Sequence, residues 1–370
     1  MTDRPRRRLS DSERLAWLRL ARSAHVGPRT FQDLLRLYGD AAAALDALPA
    51  LSRRGGGRDI RIFGRDEAER EMAATARSGV SLVALDEPDY PPLLREMVVP
   101  PPLIGIRGRA EALHRPAVAL VGARNASAPG LTMAGLLAHG LGERGFVTVS
   151  GLARGIDTTV HRASLATGTI AVLAGGHDRI YPSENESLLE QILATGCSIS
   201  EMLMGHEPRA KDFPRRNRLI AGLSLGLVVV EAAERSGSLI SARLALEENR
   251  EVFAVPGSPL DPRAAGTNGL LKQGAVLVTE VADITNALAP LIGAPPARSD
   301  IGEEDRPTPA AEPGDSQRGR VLTLLGPVPV AVDDLVRLSG LGVATVRIIL
   351  LELDLAGRIH RDSAGRIGLA

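Results

Sequence analysis

The 370-residue chain is 44% hydrophobic and 24% charged, and its 44 basic and 44 acidic side chains leave no formal net charge. That mixture fits two or three globular domains and excludes a uniformly polycationic binder, while leaving room for a local basic patch. The single cysteine, Cys197, rules out an intramolecular disulfide and a cysteine-based zinc site. No run approaches the roughly 18 apolar residues of a membrane span.

Taken in chain order, the arginine-rich start Arg4-Pro5-Arg6-Arg7-Arg8 is followed by no apolar stretch, so a secretory signal is not expected and the cytoplasm is the economical location. Residues 1–80 read as a small helical module. Ser10 or Ser12 is placed to cap a helix carrying Leu15, Trp17, Leu18 and Leu20. A Gly27-Pro28 turn then precedes a second apolar face of Phe31, Leu34, Leu35, Leu37 and Tyr38. Helices joined by a glycine turn suit a helix-hairpin-helix module, or a scaffold packing on its neighbour. Residues 53–58 read as a loop.

Residues 81–290 change character. Six short apolar runs end or begin near glycines: Val118–Gly122, Phe146–Gly151, Thr169–Gly175, Leu227–Glu231, Val252–Gly257 and Ala275–Thr279. Most lack polar alternation, as strands buried on both faces do, and stretches of helix length separate them at 131–143, 155–167, 184–195 and 239–249. The pattern predicts an α/β fold, an extended Rossmann-like, doubly wound and mainly parallel sheet. Residues 291–318, with five prolines and an acidic excess, read as a linker. Residues 319–370 read as three helices and a hairpin, a winged-helix domain. Its candidate recognition helix carries Arg347 against Glu352 and Asp354, a poor surface for duplex DNA, so a protein contact or a spacer role is expected.

Ligands of parallel α/β sheets sit at the carboxyl ends of strands. Three consecutive predicted strands end in glycine turns, at Gly122, Gly151 and Gly175-Gly176, and two turns lead into Arg124 and Arg154. Lined up along one edge, they would offer amides and guanidinium groups to phosphate. Before the fourth predicted strand, Lys211-Asp-Phe213-Pro-Arg215-Arg216-Asn217-Arg218 packs four cations around one aromatic, read as a loop. Its cations would neutralise phosphates, Phe213 would stack on a base, and Asn217 would read a base edge or fix the loop.

Other groups read as structural. Asp157 and His161 lie four apart and would tether the second glycine turn, and His177-Asp178 would anchor another loop. Glu231 and Glu234 would pair with Arg235 or Arg243, and Cys197 would be core. The serines Ser150, Ser236, Ser238 and Ser241 have no nucleophile elbow, and both the Walker and the dinucleotide glycine signatures are absent. The residues therefore favour a binder with no cofactor over the rival, an enzyme acting on a nucleotide with Glu231 as acid or base.

These motifs, in this order, resemble those of the DNA-processing protein A family (DprA, also called Smf). The resemblance spans most of residues 82–280. It is carried by Asp89-Tyr-Pro, Val121-Gly-Ala-Arg124, Ser150-Gly-Leu-Ala-Arg-Gly-Ile-Asp157, Tyr181-Pro182, Phe213-Pro-Arg-Arg-Asn-Arg-Leu-Ile220, Ser236-Gly-Ser-Leu-Ile-Ser-Ala242 and Val252-Phe-Ala-Val-Pro-Gly257, among others. It implies a non-enzymatic protein that binds and protects single-stranded DNA, loads the RecA recombinase in natural transformation, and dimerises. Carried over by position, the DNA site would use Gly122, Arg124, Gly151, Arg154, Lys211, Phe213, Arg215, Asn217 and Arg218. The chain departs from the family pattern at Pro129, where an aromatic is usual, and at Val160 before His161.

Overall fold

The computed structural model describes residues 7–57, 59–292, 312–362 and 365–370. These divide into two compact units. One is built on the central segment from Glu71, and the other joins Leu9–Arg70 to the C-terminal residues from 312. Most of the expected 291–318 linker lies outside the described residues, although a helix already begins at Asp315.

The central unit is a nine-stranded sheet: β1 (Val80–Ala84), β2 (Leu103–Gly108), β3 (Ala117–Val121), β4 (Val147–Ser150), β5 (Thr169–Val172), β6 (Cys197–Ser200), β7 (Gly226–Val229), β8 (Glu251–Ala254) and β9 (Val276–Leu277). Their spatial order is β1-β2-β6-β5-β4-β3-β7-β8-β9. From β6 to β9 every pairing is parallel, and β1 and β2 extend the sheet antiparallel beyond β6. The expected Rossmann-like, mainly parallel architecture is therefore present, with three strands that the sequence patterning did not isolate. Two of these, β2 and β6, follow proline or carry alternating serines (Pro100-Pro-Pro before Leu103; Cys197-Ser-Ile-Ser), which blurs the apolar run. Cys197 lies on β6 and is fully buried.

The sheet is filled on both faces, as its unbroken apolar strands require. Val118, Leu120, Val228 and Phe253 pack under Leu137 and Leu141 of the Ala128–Glu143 helix. Further along the same face, Ala171 and Leu173 pack with Leu188, Leu189 and Ile192, while Ala119, Val121, Leu227 and Val229 point to the opposite face and are buried there. Because β3, β4 and β5 are parallel neighbours, the chain leaves all three at the same sheet edge, which brings their following turns side by side.

The second unit contains the helices Asp11–Arg22, Pro28–Tyr38 and Ala41–Arg54, with Ser10 forming a capping box with Glu13. It also contains Asp315–Leu324, Val332–Ser339 and Val343–Leu355, followed by an antiparallel hairpin of β10 (Ile359–Arg361) and β11 (Ile367–Leu369). That is the expected winged helix. The acidic residues of its third helix turn inward. Arg318 grips Glu352 with two bonds of 2.8 Å, and Thr30 Oγ1 donates to Asp354 at 2.8 Å. The protein contact of this helix is thus made with the chain's own N-terminal helices.

Candidate nucleic-acid interface

The basic segment 211–218 is a helix, Asp212–Gly222, and not a loop. Pro214 suggests a break but falls in the first turn, where a backbone N–H has no helical partner to lose. Helical spacing then separates the four cations. Arg216 shares the buried face with Asp212, Leu219 and Ile220, while Lys211 and Arg215 are exposed. Arg218 is held between Val99 O (3.0 Å) and the buried Glu201 carboxylate (2.5 Å), so it anchors the helix. Arg215 lies 3.5 Å from the same carboxylate with its side chain half exposed.

Arg216 organises the floor of the site. Its Nη1 donates to the carbonyls of Gly151, after β4, and of Val172, at the end of β5, the latter at 2.9 Å. Its Nε donates to Asn217 Oδ1 at 3.0 Å, which assigns Asn217 to fixing this cation. Burial pulls the Arg216 pKa down to about 10, with Asp157 opposing that fall, so the group remains a cation at neutral pH. Burial raises the Asp157 carboxyl in turn, against the pull of Arg216 and of two amides.

Asp157 tethers the β4 turn as expected, accepting from the Gly151 N–H (3.1 Å) and the Ala153 N–H (3.3 Å). His161 does not join it. His161 Nδ1 faces Thr169 Oγ1 at 2.9 Å, and burial holds its pKa at about 3. The His177-Asp178 anchor is present: His177 bridges Gly105 O and Ser198 Oγ, both at 3.1 Å, and Asp178 accepts from the Gly205 N–H.

These bonds occupy part of the donor set expected of the glycine turns. The Gly151 and Ala153 amides are taken by Asp157, and the Ala123 amide by Glu231 O. The glycines serve close packing: a Cβ would meet Ile156 at Gly122, Arg216 at Gly151 and Pro208 at Gly175. Those three amides are thus bonded within the fold, and the exposed cationic donors at this edge are the side chains of Arg124 and Arg154.

Above the floor, Arg124, Gly151, Ala153, Arg154, Tyr181, Pro182, Phe213 and Arg216 line one depression. The Arg124 guanidinium lies 5.3 Å from the centre of the Phe213 ring and that of Arg216 lies 5.8 Å away, both within cation–π range. Tyr181 meets Phe213 edge-on, with ring centres 5.6 Å apart. Arg124 and Arg154 are exposed, the latter only loosely paired with Glu184 at 3.9 Å. Of the predicted residues, Arg124, Gly151, Arg154 and Phe213 meet here. Lys211 and Arg215 sit on the exposed side of the adjoining helix, and Gly122, Asn217 and Arg218 support the site from within.

Sequence reasoning missed Arg216 and Tyr181 as members of the site. The first was findable from its spacing to Leu219 and Ile220, the second from aromatic scarcity, since the chain holds three tyrosines. Glu231 is also reassigned. Its carboxylate takes the Ser127 N–H (3.0 Å) and the Ser127 hydroxyl, while Ser127 Oγ caps the Ala128–Glu143 helix through the Gly130 N–H. Arg243 pairs instead with Glu247. A carboxylate bound into a helix cap is poorly placed as a general acid or base for a nucleotide.

A family model described as DNA recombination-mediator protein A matches residues 81–289. The chain belongs to the DNA-processing protein A (DprA/Smf) family. Further DprA models match residues 11–74, as an N-terminal HHH domain, and 305–365, as a winged-helix domain. Protein Smf of Escherichia coli K12 is 37% identical over 310 residues, covering 83% of this chain and 82% of the relative. DprA of Bacillus subtilis is 40% identical over 222 residues, 59% of this chain and 75% of the relative. Among solved structures, Streptococcus pneumoniae DprA aligns with a TM-score of 0.63 at 32% identity, covering 76% of this chain and 98% of that one. Helicobacter pylori DprA, reported for its single-stranded DNA binding mode, aligns with a TM-score of 0.53 at 29% identity over 57% and 96%. Membership in this family carries a role in DNA processing and recombination.

Proposed function

We propose that this chain binds and protects single-stranded DNA at the carboxyl edge of its parallel sheet, catalyses no reaction itself, and acts as a homodimer that loads RecA recombinase in natural transformation. The observation that carries the DNA-binding part is the grouping of exposed Arg124 and Arg154 around the half-exposed Tyr181 and its partly buried neighbour Phe213, with Lys211 and Arg215 beside them at the adjoining helix. Such a track of cations beside aromatic rings suits several phosphates and an unpaired base. A mononucleotide would need one or two of those cations. The single-stranded DNA binding mode of the Helicobacter pylori relative supports the same reading. RecA loading, transformation and the dimer rest on family membership.

Competition tests the DNA-binding part. A labelled single strand on the full chain should be displaced by unlabelled strand at far lower concentration than by duplex, and recovered uncut. Equal displacement by duplex, or cleavage of the strand, would overturn it. RecA filament assembly on a strand coated with single-strand-binding protein should accelerate when the chain is added, and light scattering should give the mass of a dimer.

A further inference from the structure

The third helix of the winged domain, Val343–Leu355, is apolar on two sides. Val346, Ile349, Leu350 and Leu353 enter the core of its own domain. Leu351 and Leu355 are just as buried yet lie outside that core, half a turn away, where the helix packs against the N-terminal Ala41–Arg54 helix. The seat for this second face is built from glycine. A Cβ at Gly55 would collide with the Glu352 carbonyl, and one at Gly57 would crowd Ala356. Arg358 Nη1 donates to Gly55 O at 3.2 Å, and Thr30 Oγ1 donates to Asp354 at 2.8 Å. The same seam holds polar groups that water would serve better. Burial raises the Asp354 carboxyl, against the pull of Thr30 and Arg361. Arg361 Nε is buried with no hydrogen-bond partner among the described residues. Both groups regain hydration when the seam opens, which offsets part of the apolar gain of closing it. Thr30 and Asp354 are also 324 residues apart in the chain, so closing the seam carries a loop-closure cost.

We propose that the winged domain is a reversible clasp: its third helix docks in the glycine seat of the N-terminal module, and the seam opens while both modules and the central sheet stay folded. The N-terminal module thereby carries a docking face for an amphipathic helix with leucines one turn apart and a carboxylate between them. The chain's own helix, with Leu351, Asp354 and Leu355, occupies that face. In the closed state the C-terminal half of this helix is covered on both sides, so it is shut off from a major groove and from other proteins. Opening bares two apolar faces at once, one on each module, and so controls when the N-terminal module can take a helix of another protein. No residue of the seam belongs to the sheet-edge site, so the clasp stands apart from the DNA-binding reading.

Thiol labelling of the full-length chain tests the clasp. The chain's single cysteine, Cys197, is fully buried in β6, so introduced cysteines report on their own surroundings. Leu355→Cys reports on the seam, and Ile349→Cys on the core of the winged domain. Under native conditions the thiol of Leu355→Cys should react about tenfold faster than that of Ile349→Cys, because it needs only the seam to open. Adding Gly55→Val should speed labelling at Leu355→Cys by about tenfold again, while Ile349→Cys and Cys197 keep their rates. Valine suits the backbone at position 55, where φ is −68°, so the change strikes the docked carbonyl and not the turn. Equal rates at Leu355→Cys and Ile349→Cys would overturn the proposal, since the two modules would then be one inseparable core. Gly55→Val accelerating all three thiols together, or none of them, would overturn it as well.

Discussion

Arg216 and Gly151 fit so closely that a Cβ at position 151 would collide with the Arg216 guanidinium. The contact is a hydrogen bond from a buried guanidinium to the Gly151 carbonyl, and the same nitrogen reaches Val172 on the next strand. One cation thus ties two strand ends to the helix bearing Phe213 and Arg215. With Asp157 opposite it, the charge is compensated within the fold. Replacing Arg216 with methionine should cost about 3–5 kcal/mol, as removal of one partner of a buried pair does. Gly151→Ala should be destabilising as well. Urea unfolding of the two variants checks both; stability within 1 kcal/mol of wild type in Arg216→Met would show that the cation is dispensable.

Arg218 and Arg215 should part company despite lying three residues apart. Arg218→Ala leaves the buried Glu201 without its closest cation, so its main effect should be a lower melting temperature with a largely unchanged salt dependence of DNA binding. Arg215→Ala should do the reverse, with little loss of stability and a salt slope shallower by about 0.7. Thermal unfolding alongside binding isotherms separates them.

Glu231 offers a check on the rival enzymatic reading. Its carboxylate holds Ser127, which in turn caps the Ala128–Glu143 helix. Glu231→Gln should cost about 1–2 kcal/mol of stability, the usual effect of weakening a cap and its charge-assisted bond, and leave strand affinity unchanged. Discovery of a nucleotide-processing activity in wild type that vanishes in this variant would restore the catalytic role.

Acid should destabilise the central unit before it affects the arginines. His161 and His177 are buried neutral, with pKa values held at about 3 and about 4, below the unfolded value near 6.5. Their neutral burial favours the fold fully above pH 6.5, and that contribution is lost as pH falls toward the folded values. At pH 5 the loss should be about 4 kcal/mol for the two together. Melting temperatures measured from pH 8 to pH 5 should be level at first and then drop below pH 6.5. A flat profile down to pH 5 would mean that these histidines are not buried as described.

The parallel sheet was legible in the sequence because strands buried on both faces, such as Leu227-Val-Val-Val230, leave no polar alternation to confuse them. The glycine-to-arginine turns and the basic segment stood out for another reason: glycines followed by arginine recur after predicted strands, and one of only five phenylalanines sits among four cations. The individual roles were harder to read. Pro214 disguised a helix start as a loop, and only the helical phase reveals that Arg216 points inward while Arg215 points out. The partners of Arg218 and Glu231 lie 17 and 104 residues away, so no local pattern could announce them. Likewise, the inward turn of Glu352 and Asp354 depends on Arg318 and Thr30, the latter 324 residues distant from its partner.

The most direct measurement is the salt dependence of binding to a labelled ~30-mer, single strand and duplex, for wild type and Arg124→Ala. Wild type should favour the single strand with a log–log slope of several, at about 0.7 per neutralised phosphate, and Arg124→Ala should bind more weakly with a slope lower by roughly one contact. Equal affinity for duplex, or an Arg124→Ala variant indistinguishable from wild type, would contradict the placement of a single-strand site at this sheet edge.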